Sequence, residues 1–194
     1  MRKKEYRSEK MRDLMAMQYH GLSMAQTIVW FFIYAFIGWV MECIVIRREK
    51  GIWENRGFAK LPFCIIYPFG AIAVYELLNP IADNIVALYI SGAIIATTIE
   101  YITAKVMLML FGEFWWDYKN KFMNYQGIIC LESTVGWGLL TVFFFKFMNR
   151  YVTIGVSRIP GRIANIIAIT LLVAYIFDFT TQFLHSLSKE KECN

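Results

Sequence analysis

Long apolar stretches separated by short charged ones form the dominant pattern of this chain. A helix needs about 20 apolar residues to cross a hydrocarbon core of about 30 Å. Stretches of about this length run over residues 25–46, 61–78, 85–111, 128–147 and 163–187. The pattern predicts an all-α, polytopic membrane protein, with a bundle of about five transmembrane helices within residues 24–188 and a polar tail at 189–194.

Prolines interrupt the second of these stretches. Pro62 and Pro68 lie near its start, and Pro80 follows its end. Proline lacks a backbone N–H donor, and irregular backbone at membrane depth is tolerated only where protein or water covers it. We therefore expect the second span to begin as a broken or re-entrant helix.

Composition and charge agree with a membrane protein and add an amphipathic N-terminus. Hydrophobic residues make up 58% of the chain, against roughly 45–50% in soluble domains. The net charge of +5 is uneven, because six basic residues crowd the start: Arg2, Lys3, Lys4, Arg7, Lys10 and Arg12. Apolar residues at near-helical spacing accompany them, so residues 1–23 predict a basic amphipathic helix beside the membrane. We expect it to contact anionic lipid headgroups rather than nucleic acid.

Lys and Arg do not fix the orientation of the predicted bundle. Equal numbers fall on the two sides, so the positive-inside rule leaves orientation undecided.

The four cysteines, Cys43, Cys64, Cys130 and Cys193, form no CxxC pair and have no metal-ligand spacing. We expect free thiols, no metal and no cofactor.

All five predicted spans contain an acidic residue. Glu76 lies near the far end of the second span, and the other four acids are Glu42, Glu100, Glu132 and Asp178. In an antiparallel bundle these four fall toward one side of the bilayer, with Glu100 the deepest of their three glutamates. Small residues share their helix faces at a spacing of four: Gly38 precedes Glu42, Gly92 and Ala96 precede Glu100, and Gly136 follows Glu132. Because small residues allow close helix packing, we expect these acids to point into the bundle.

Such acids are either structural or functional. An acidic side chain at the bilayer centre costs about 2.5–3.5 kcal/mol on insertion scales, so it is usually paired, protonated or functional. In the structural interpretation Glu100 pairs with Lys105 or a tyrosine hydroxyl, and Asp178 pairs with His185. The convergence of four acids favours a polar cavity open on one side of the bilayer.

Two loops, residues 51–60 and 112–127, are expected to cover this cavity. Arg56 could bind phospholipid headgroups, neutralise a buried glutamate or hold an anionic substrate. Adjacent Trp115 and Trp116 are also typical of an interfacial aromatic belt. No catalytic residue is assigned. The candidate substrate-binding or cavity residues are Glu42, Asn55, Arg56, Cys64, Tyr67, Glu100, Tyr101, Trp115, Trp116, Asp117, Tyr118, Asn124, Cys130, Glu132 and Asp178.

Motifs in the same region carry a family resemblance. They are Phe32, Tyr34, Phe36, Gly38, Trp39, Glu42, the run Asn55, Arg56, Gly57, Phe58, then Pro62, Phe63, Cys64, Tyr67, Gly70, Glu100, Tyr101, Phe111, Gly112, the run Trp115, Trp116, Asp117, Tyr118, and Asn124, Gly127, Cys130, Leu131, Glu132, Trp137, Gly138. Over about residues 31–140 the chain resembles the CmpB-like family of bacterial membrane proteins, described as "putative ABC-transporter type IV". It departs from the family pattern at Leu61, Ile65 and Pro68. The resemblance implies a multi-span membrane location and a transport role.

Three functions fit the sequence. The first is a transporter permease or substrate-binding subunit in the cell membrane, with the acids lining its cavity. The chain has no GxxxxGK[ST] phosphate loop, so either a separate ATP-binding subunit or a proton-coupled glutamate would supply the energy. The second is a membrane-embedded enzyme acting on a lipid or lipid-linked substrate, with Glu or Asp as general acid or base, or with Cys64 or Cys130 as nucleophile. The third is a non-catalytic assembly subunit. So few helices make a thin wall, which favours a homo-oligomer or a partner permease.

Overall fold

A computed structural model describes residues 18–19, 21–114 and 116–193. The chain begins there with an antiparallel hairpin of strands β1 (Gln18–Tyr19) and β2 (Leu22–Ser23). Gly21 has a φ of 78° in its turn, a conformation that glycine adopts without steric cost. Most of the predicted amphipathic helix over residues 1–23 lies outside the described residues, and its described end is this hairpin instead of a helix.

Helices form nearly all of the remaining regular structure. The helices are α1 (Met24–Lys50), α2 (Ile66–Leu78), α3 (Ile85–Phe111), α4 (Leu131–Phe143), α5 (Asn149–Ser157) and α6 (Gly161–Cys193). A 3₁₀ turn, Asn79–Ile81, follows α2. A π-helical segment, Phe144–Met148, joins α4 to α5, so that these two helices form one continuous rod.

Within the described residues, four helical segments are long and apolar enough to cross a membrane: Met24–Arg48, Ile85–Phe111, Leu131–Ser157 and Gly161–His185. The predicted all-helical, multi-span class is confirmed, but the count of five is not. Helix α2 has 13 residues and is about 20 Å long, less than the hydrocarbon core. Its start is delayed because Cys64 N–H donates to the Ala35 carbonyl, 3.0 Å away, and holds the preceding chain out of the helix.

Local side-chain bonds fix where the long helices begin and end. Ser23 and Gln26 form a reciprocal capping box at the start of α1, and the Asn84 side chain caps α3. Gly51 and Gly112 end α1 and α3 with φ values of 76° and 70°. These caps satisfy backbone groups that the helix itself leaves without partners.

The described chain divides into two compact units. The first contains the chain up to Pro68 together with Arg150–Gln182. Aromatic side chains form part of its interior: the Phe32 ring lies 5.1 Å from that of Phe63 and 5.7 Å from that of Tyr175. These contacts bring α1, the loop before α2 and α6 together.

The second unit contains Phe69–Asn149 and the chain from Phe183 onward. Helices α3 and α4 pack closely in it because glycines face bulkier side chains across the interface. A Cβ atom at Gly92 would overlap Thr141, and one at Gly138 would lie 2.6 Å from the Tyr89 ring. This is the small-residue packing that the sequence predicts for α3.

Candidate functional site

In the first unit, Glu42 on α1 is the centre of a polar cluster. Tyr67 donates a hydrogen bond of 2.6 Å to Oε1 of Glu42, and Nε of Arg56 lies 4.0 Å from Oε2. The Arg56 side chain is only 12% exposed and that of Glu42 is 32% exposed. Of the three roles considered for Arg56, the structure shows the neutralisation of a partly buried glutamate.

Cys64 fixes the loop before α2 against this cluster. Its Sγ donates to the Arg56 carbonyl at 3.4 Å, and the residue is buried. Cys64 lies outside the four candidate spans. Burial, with the neighbouring Glu42 carboxylate adding to it, raises the pKa of this thiol to about 12. A thiol with so high a pKa is almost fully protonated at neutral pH and is a poor nucleophile.

Asn55 organises the same loop through both ends of its amide. Its Oδ1 accepts from Trp39 Nε1 at 2.6 Å and from Gly57 N–H at 3.0 Å. Its Nδ2 donates to the carbonyls of Ala59 and Lys60, both at 3.1 Å. The amide's bonds are therefore made within the protein, and Asn55 shapes the loop that carries Arg56.

Asp178 on α6 holds the far end of this loop. Its Oδ2 accepts a hydrogen bond of 2.7 Å from Leu61 N–H. The structure therefore gives Asp178 a backbone partner in place of the expected pairing with His185. The bond satisfies a backbone donor that the irregular chain before α2 leaves unpaired.

In the second unit, Glu100 on α3 is a buried acid. Its residue is 6% exposed, and it lies eleven residues before the end of α3, about 16 Å along the helix axis. Tyr118 donates to Oε1 at 3.2 Å. Ser133 and Trp137 donate to Oε2 at 3.3 and 3.0 Å. One loop and two helices thus converge on a single buried carboxylate.

Sequence reasoning missed two of these donors as site residues. Ser133 and Trp137 lie four positions apart on α4, so they share one helix face, and that spacing was the available signal. Lys105, an expected partner of Glu100, instead donates to Gln126 Oε1 at 2.7 Å. Tyr101 donates to the same oxygen at 3.3 Å, so this candidate also lies beside the Glu100 cluster without bonding to its carboxylate.

The loop between α3 and α4 is held by its own side chains. Trp116 Nε1 donates to the Ile128 carbonyl at 2.7 Å, and Asn124 Nδ2 donates to the carbonyls of Lys119 and Lys121. Asp117 accepts from Lys119 N–H at 2.9 Å. These candidates shape the loop that delivers Tyr118 to Glu100. Trp115, the remaining candidate of this loop, lies outside the described residues.

Glu132 does not lie on the packing face predicted for it. Its side chain is 71% exposed and pairs with Lys121, with Nζ 3.1 Å from Oε2. The next residue, Ser133, points toward Glu100 instead. Successive helix residues differ by about 100° around the axis, so a shift of one position moves an acid from the interior to the surface.

Cys130 has a structural role at the start of α4. Its Sγ accepts from Ser133 N–H and the Ser133 hydroxyl accepts from Cys130 N–H, both at 3.3 Å. This arrangement is a capping box in which sulfur replaces the usual oxygen. Among the described residues, no group of three or more His, Cys, Asp or Glu is placed to hold a metal ion.

A family model described as "Putative ABC-transporter type IV" matches residues 29–183, most of the 194-residue chain. The chain belongs to this family. The resemblance found over residues 31–140 is confirmed, and the match continues into α6. No curated protein and no solved structure matches the chain. As a member of this family with four apolar helices among its described residues, it is a multi-pass membrane protein.

The Glu42 and Glu100 clusters both lie within the region that the family model matches. Glu42 and Asp178 belong to the first unit, and Glu100 and Glu132 belong to the second. The convergence of all four acids on one cavity stays a prediction.

The high pKa of Cys64 gives a prediction about its reactivity. In a variant whose only cysteine is Cys64, we expect N-ethylmaleimide at pH 8 to react far more slowly with folded protein than with protein unfolded in detergent. A rise in pKa from 9.0 to about 12 lowers the thiolate fraction roughly a thousandfold. Replacing Cys130 with Ser preserves its cap, while Cys43 and Cys193 become Ala. Equal rates in the two states would contradict the prediction.

Proposed function

We propose that this chain is the membrane subunit of an ATP-driven transporter in the cell membrane, and that a separate polypeptide binds ATP. Family membership and four apolar helices support the proposal. The sequence has no phosphate-binding GxxxxGK[ST] loop, and such a loop supplies the backbone cradle and the lysine that hold ATP phosphates. ATP hydrolysis therefore requires a partner.

Glu100 is the observation that carries the proposal. It is buried near the middle of a helix long enough to cross a membrane, and three donors on α4 and the preceding loop hold it. An ionisable group at that depth is expensive and usually serves a transported ion or substrate. We propose that Glu100 and Tyr118 line the transport route, where the carboxyl group binds a cationic part of the substrate or exchanges a proton.

Glu42 is proposed to have a different role. Arg56 and Tyr67 already surround its carboxylate, and Asn55 and Cys64 fix the loop that carries Arg56. A neutralised pair of this kind stabilises the position of a loop but offers little charge to a substrate. The Glu42 cluster therefore holds the loop in place, while the Glu100 cluster meets the substrate.

A non-catalytic assembly subunit is the second candidate, and the bonds of Glu100 also favour it. They join α3, α4 and the loop between them, so a purely structural carboxylate would look similar. An enzyme acting on lipids has less support. Cys130 is used as a helix cap, and the raised pKa of Cys64 keeps that thiol protonated.

Glu100→Gln distinguishes transport from assembly. A glutamine can accept from Ser133 and Trp137 through its oxygen, and its amide can donate to the Tyr118 hydroxyl, which rotates to accept. The variant therefore keeps the shape and the hydrogen bonds but loses the charge and the exchangeable proton. Glu132→Gln is the matched control, because that carboxylate is exposed.

The test uses an affinity-tagged full chain in its native host. We expect an ATPase with a phosphate-binding loop to co-purify equally with wild type, Glu100→Gln and Glu132→Gln. A deletion strain is grown on a panel of nutrients and toxic compounds to find the growth or tolerance that it has lost. Wild type and Glu132→Gln should restore this growth or tolerance, and Glu100→Gln should restore under about a tenth of it. Full rescue by Glu100→Gln would favour assembly. A chain purified without any ATPase would overturn the ATP-driven transporter.

A further inference from the structure

Three exposed arginines surround the turn between α5 and α6. We call Arg150, Arg158 and Arg162 the arginine face; all three belong to the first unit. Within the described part of the chain, these side chains have no hydrogen bond or ion pair. Arg162 follows Arg158 by four positions in the sequence, so their Cα atoms lie within about 14 Å of each other.

No acidic residue compensates this charge locally. Residues 133–177 contain no Asp or Glu. Basic side chains of the loops after α1 and α3 do have acidic partners: Lys50 pairs with Glu54 and Lys119 with Asp117. Among the described residues the arginine face therefore has no acidic partner, and an external anion suits it.

The length of the rod formed by α4 and α5 places this surface at headgroup depth. Segment Leu131–Ser157 has 27 residues and is about 40 Å long, roughly 10 Å more than the hydrocarbon core. Because exposed arginines are costly inside hydrocarbon, its last two turns, from Arg150 onward, are expected to emerge from the core. Exposed Tyr151 and Ile154 lie on the same turns, and such a mixture of arginine, tyrosine and aliphatic side chains suits the membrane interface.

The turn is held in place before any ligand binds. Gln26 Nε2 donates to the carbonyls of Ser157 and Ile159 at 3.3 and 3.0 Å. Ile159 N–H donates back to Val156 at 3.0 Å. These bonds tie the turn to the start of α1, so the arginine backbone positions are pre-organised and less ordering is needed on binding.

We propose that the arginine face binds the headgroups of anionic phospholipids. A guanidinium group can bind a phosphate with two parallel hydrogen bonds, and headgroup phosphates occupy the depth at which the rod emerges. The first N–H groups of α6 begin beside Arg162 and point toward the same region, where they also favour an anion. Anionic lipid would thereby anchor the end of the bundle that the turn forms.

The test measures which lipids remain bound to the full-length protein. Protein in detergent is mixed with equimolar phosphatidylglycerol and phosphatidylcholine, purified again, and its lipids are counted by mass spectrometry. We expect wild type to enrich phosphatidylglycerol on the order of tenfold, and the triple Arg→Gln variant of the arginine face to lose most of this preference. The triple Arg→Lys variant should keep most of it, because the charge remains.

The control removes an equal charge elsewhere. Replacing Lys50, Lys119 and Lys121 with Gln should leave the enrichment unchanged, since each of these lysines already has an acidic partner. Gel filtration of each variant shows whether it is folded. If the triple Arg→Gln variant does not fold, the triple Arg→Lys variant keeps the test valid.

Three results would overturn the lipid assignment. Equal enrichment in wild type and the folded Gln variant would do so. Displacement of phosphatidylglycerol by inorganic phosphate, but not by sodium chloride of the same ionic strength, would identify a site for free phosphate. A wild type without lipid preference whose arginine face crosslinks to an acidic protein would point to a protein partner instead.

Discussion

Replacing Glu100 with Ala is expected to reduce the folded yield severalfold and to lower the free energy of unfolding by about 3 kcal/mol. The residue is 6% exposed, and loss of its carboxylate removes an acceptor from Tyr118 and Trp137. The Ser133 hydroxyl keeps the Cys130 carbonyl as an acceptor at 3.0 Å. Buried donors without an acceptor cost more than the net value of the bonds themselves. Unfolding in detergent, followed by tryptophan fluorescence, measures the effect.

Two companion variants show whether burial causes the loss. Glu132→Ala removes a carboxylate of the same chemistry, but one that is exposed and paired only with Lys121 among its described contacts. Its expected effect is within about 0.5 kcal/mol. Glu100→Gln should recover most of the stability because it keeps an acceptor for Ser133 and Trp137. If Glu100→Ala were as stable as Glu132→Ala, the buried network would contribute little to folding.

The long helices could be predicted because their signals are local. Apolar length marks the spans, and Ser23 and Asn84 cap helices at positions that any chain with those residues would favour. The burial of Glu100 could also be predicted, since Gly92 shares its helix face and allows α4 to approach. Periodicity is enough wherever one helix face decides the outcome.

Helix α2 and Glu132 could not be predicted because other signals decide them. The start of α2 depends on Cys64 bonding to Ala35 on α1 and on Leu61 bonding to Asp178 on α6. These partners are remote in sequence. The orientation of Glu132 depends on the phase of α4, which the Cys130 cap sets. An error of one residue in that phase exchanges the interior position of Ser133 with the exposed position of Glu132.

The loop candidates were identified by motif, but their roles come from contacts far along the chain. Asn55 and Trp39 are sixteen residues apart and form a direct hydrogen bond. Gln126 takes a φ of 56° and presents its side chain to Lys105 and Tyr101 on α3. A sequence pattern marks such residues as unusual. It does not show whether they bind a ligand or hold a loop, and for Asn55 the bonds show loop organisation.

Replacing Gly38 with Ala is expected to lower the free energy of unfolding by about 2 kcal/mol. A Cβ atom at this position would overlap the Tyr67 ring. The ring has to move, and its hydroxyl then loses the 2.6 Å hydrogen bond to Glu42. Thermal unfolding of the purified chain in detergent measures the change, with circular dichroism as the readout.

Gly155→Ala is the matched control for this substitution. Gly155 also lies in a helix of the first unit, but nothing stands within 4 Å of its added Cβ atom. Alanine should therefore be neutral there or stabilise the helix by up to about 1 kcal/mol. A double-mutant cycle with Tyr67→Phe tests the cause, because Gly38→Ala should cost less once the hydrogen bond to Glu42 is already gone. If Gly38→Ala and Gly155→Ala behaved alike, close packing of Tyr67 on α1 would not position Glu42.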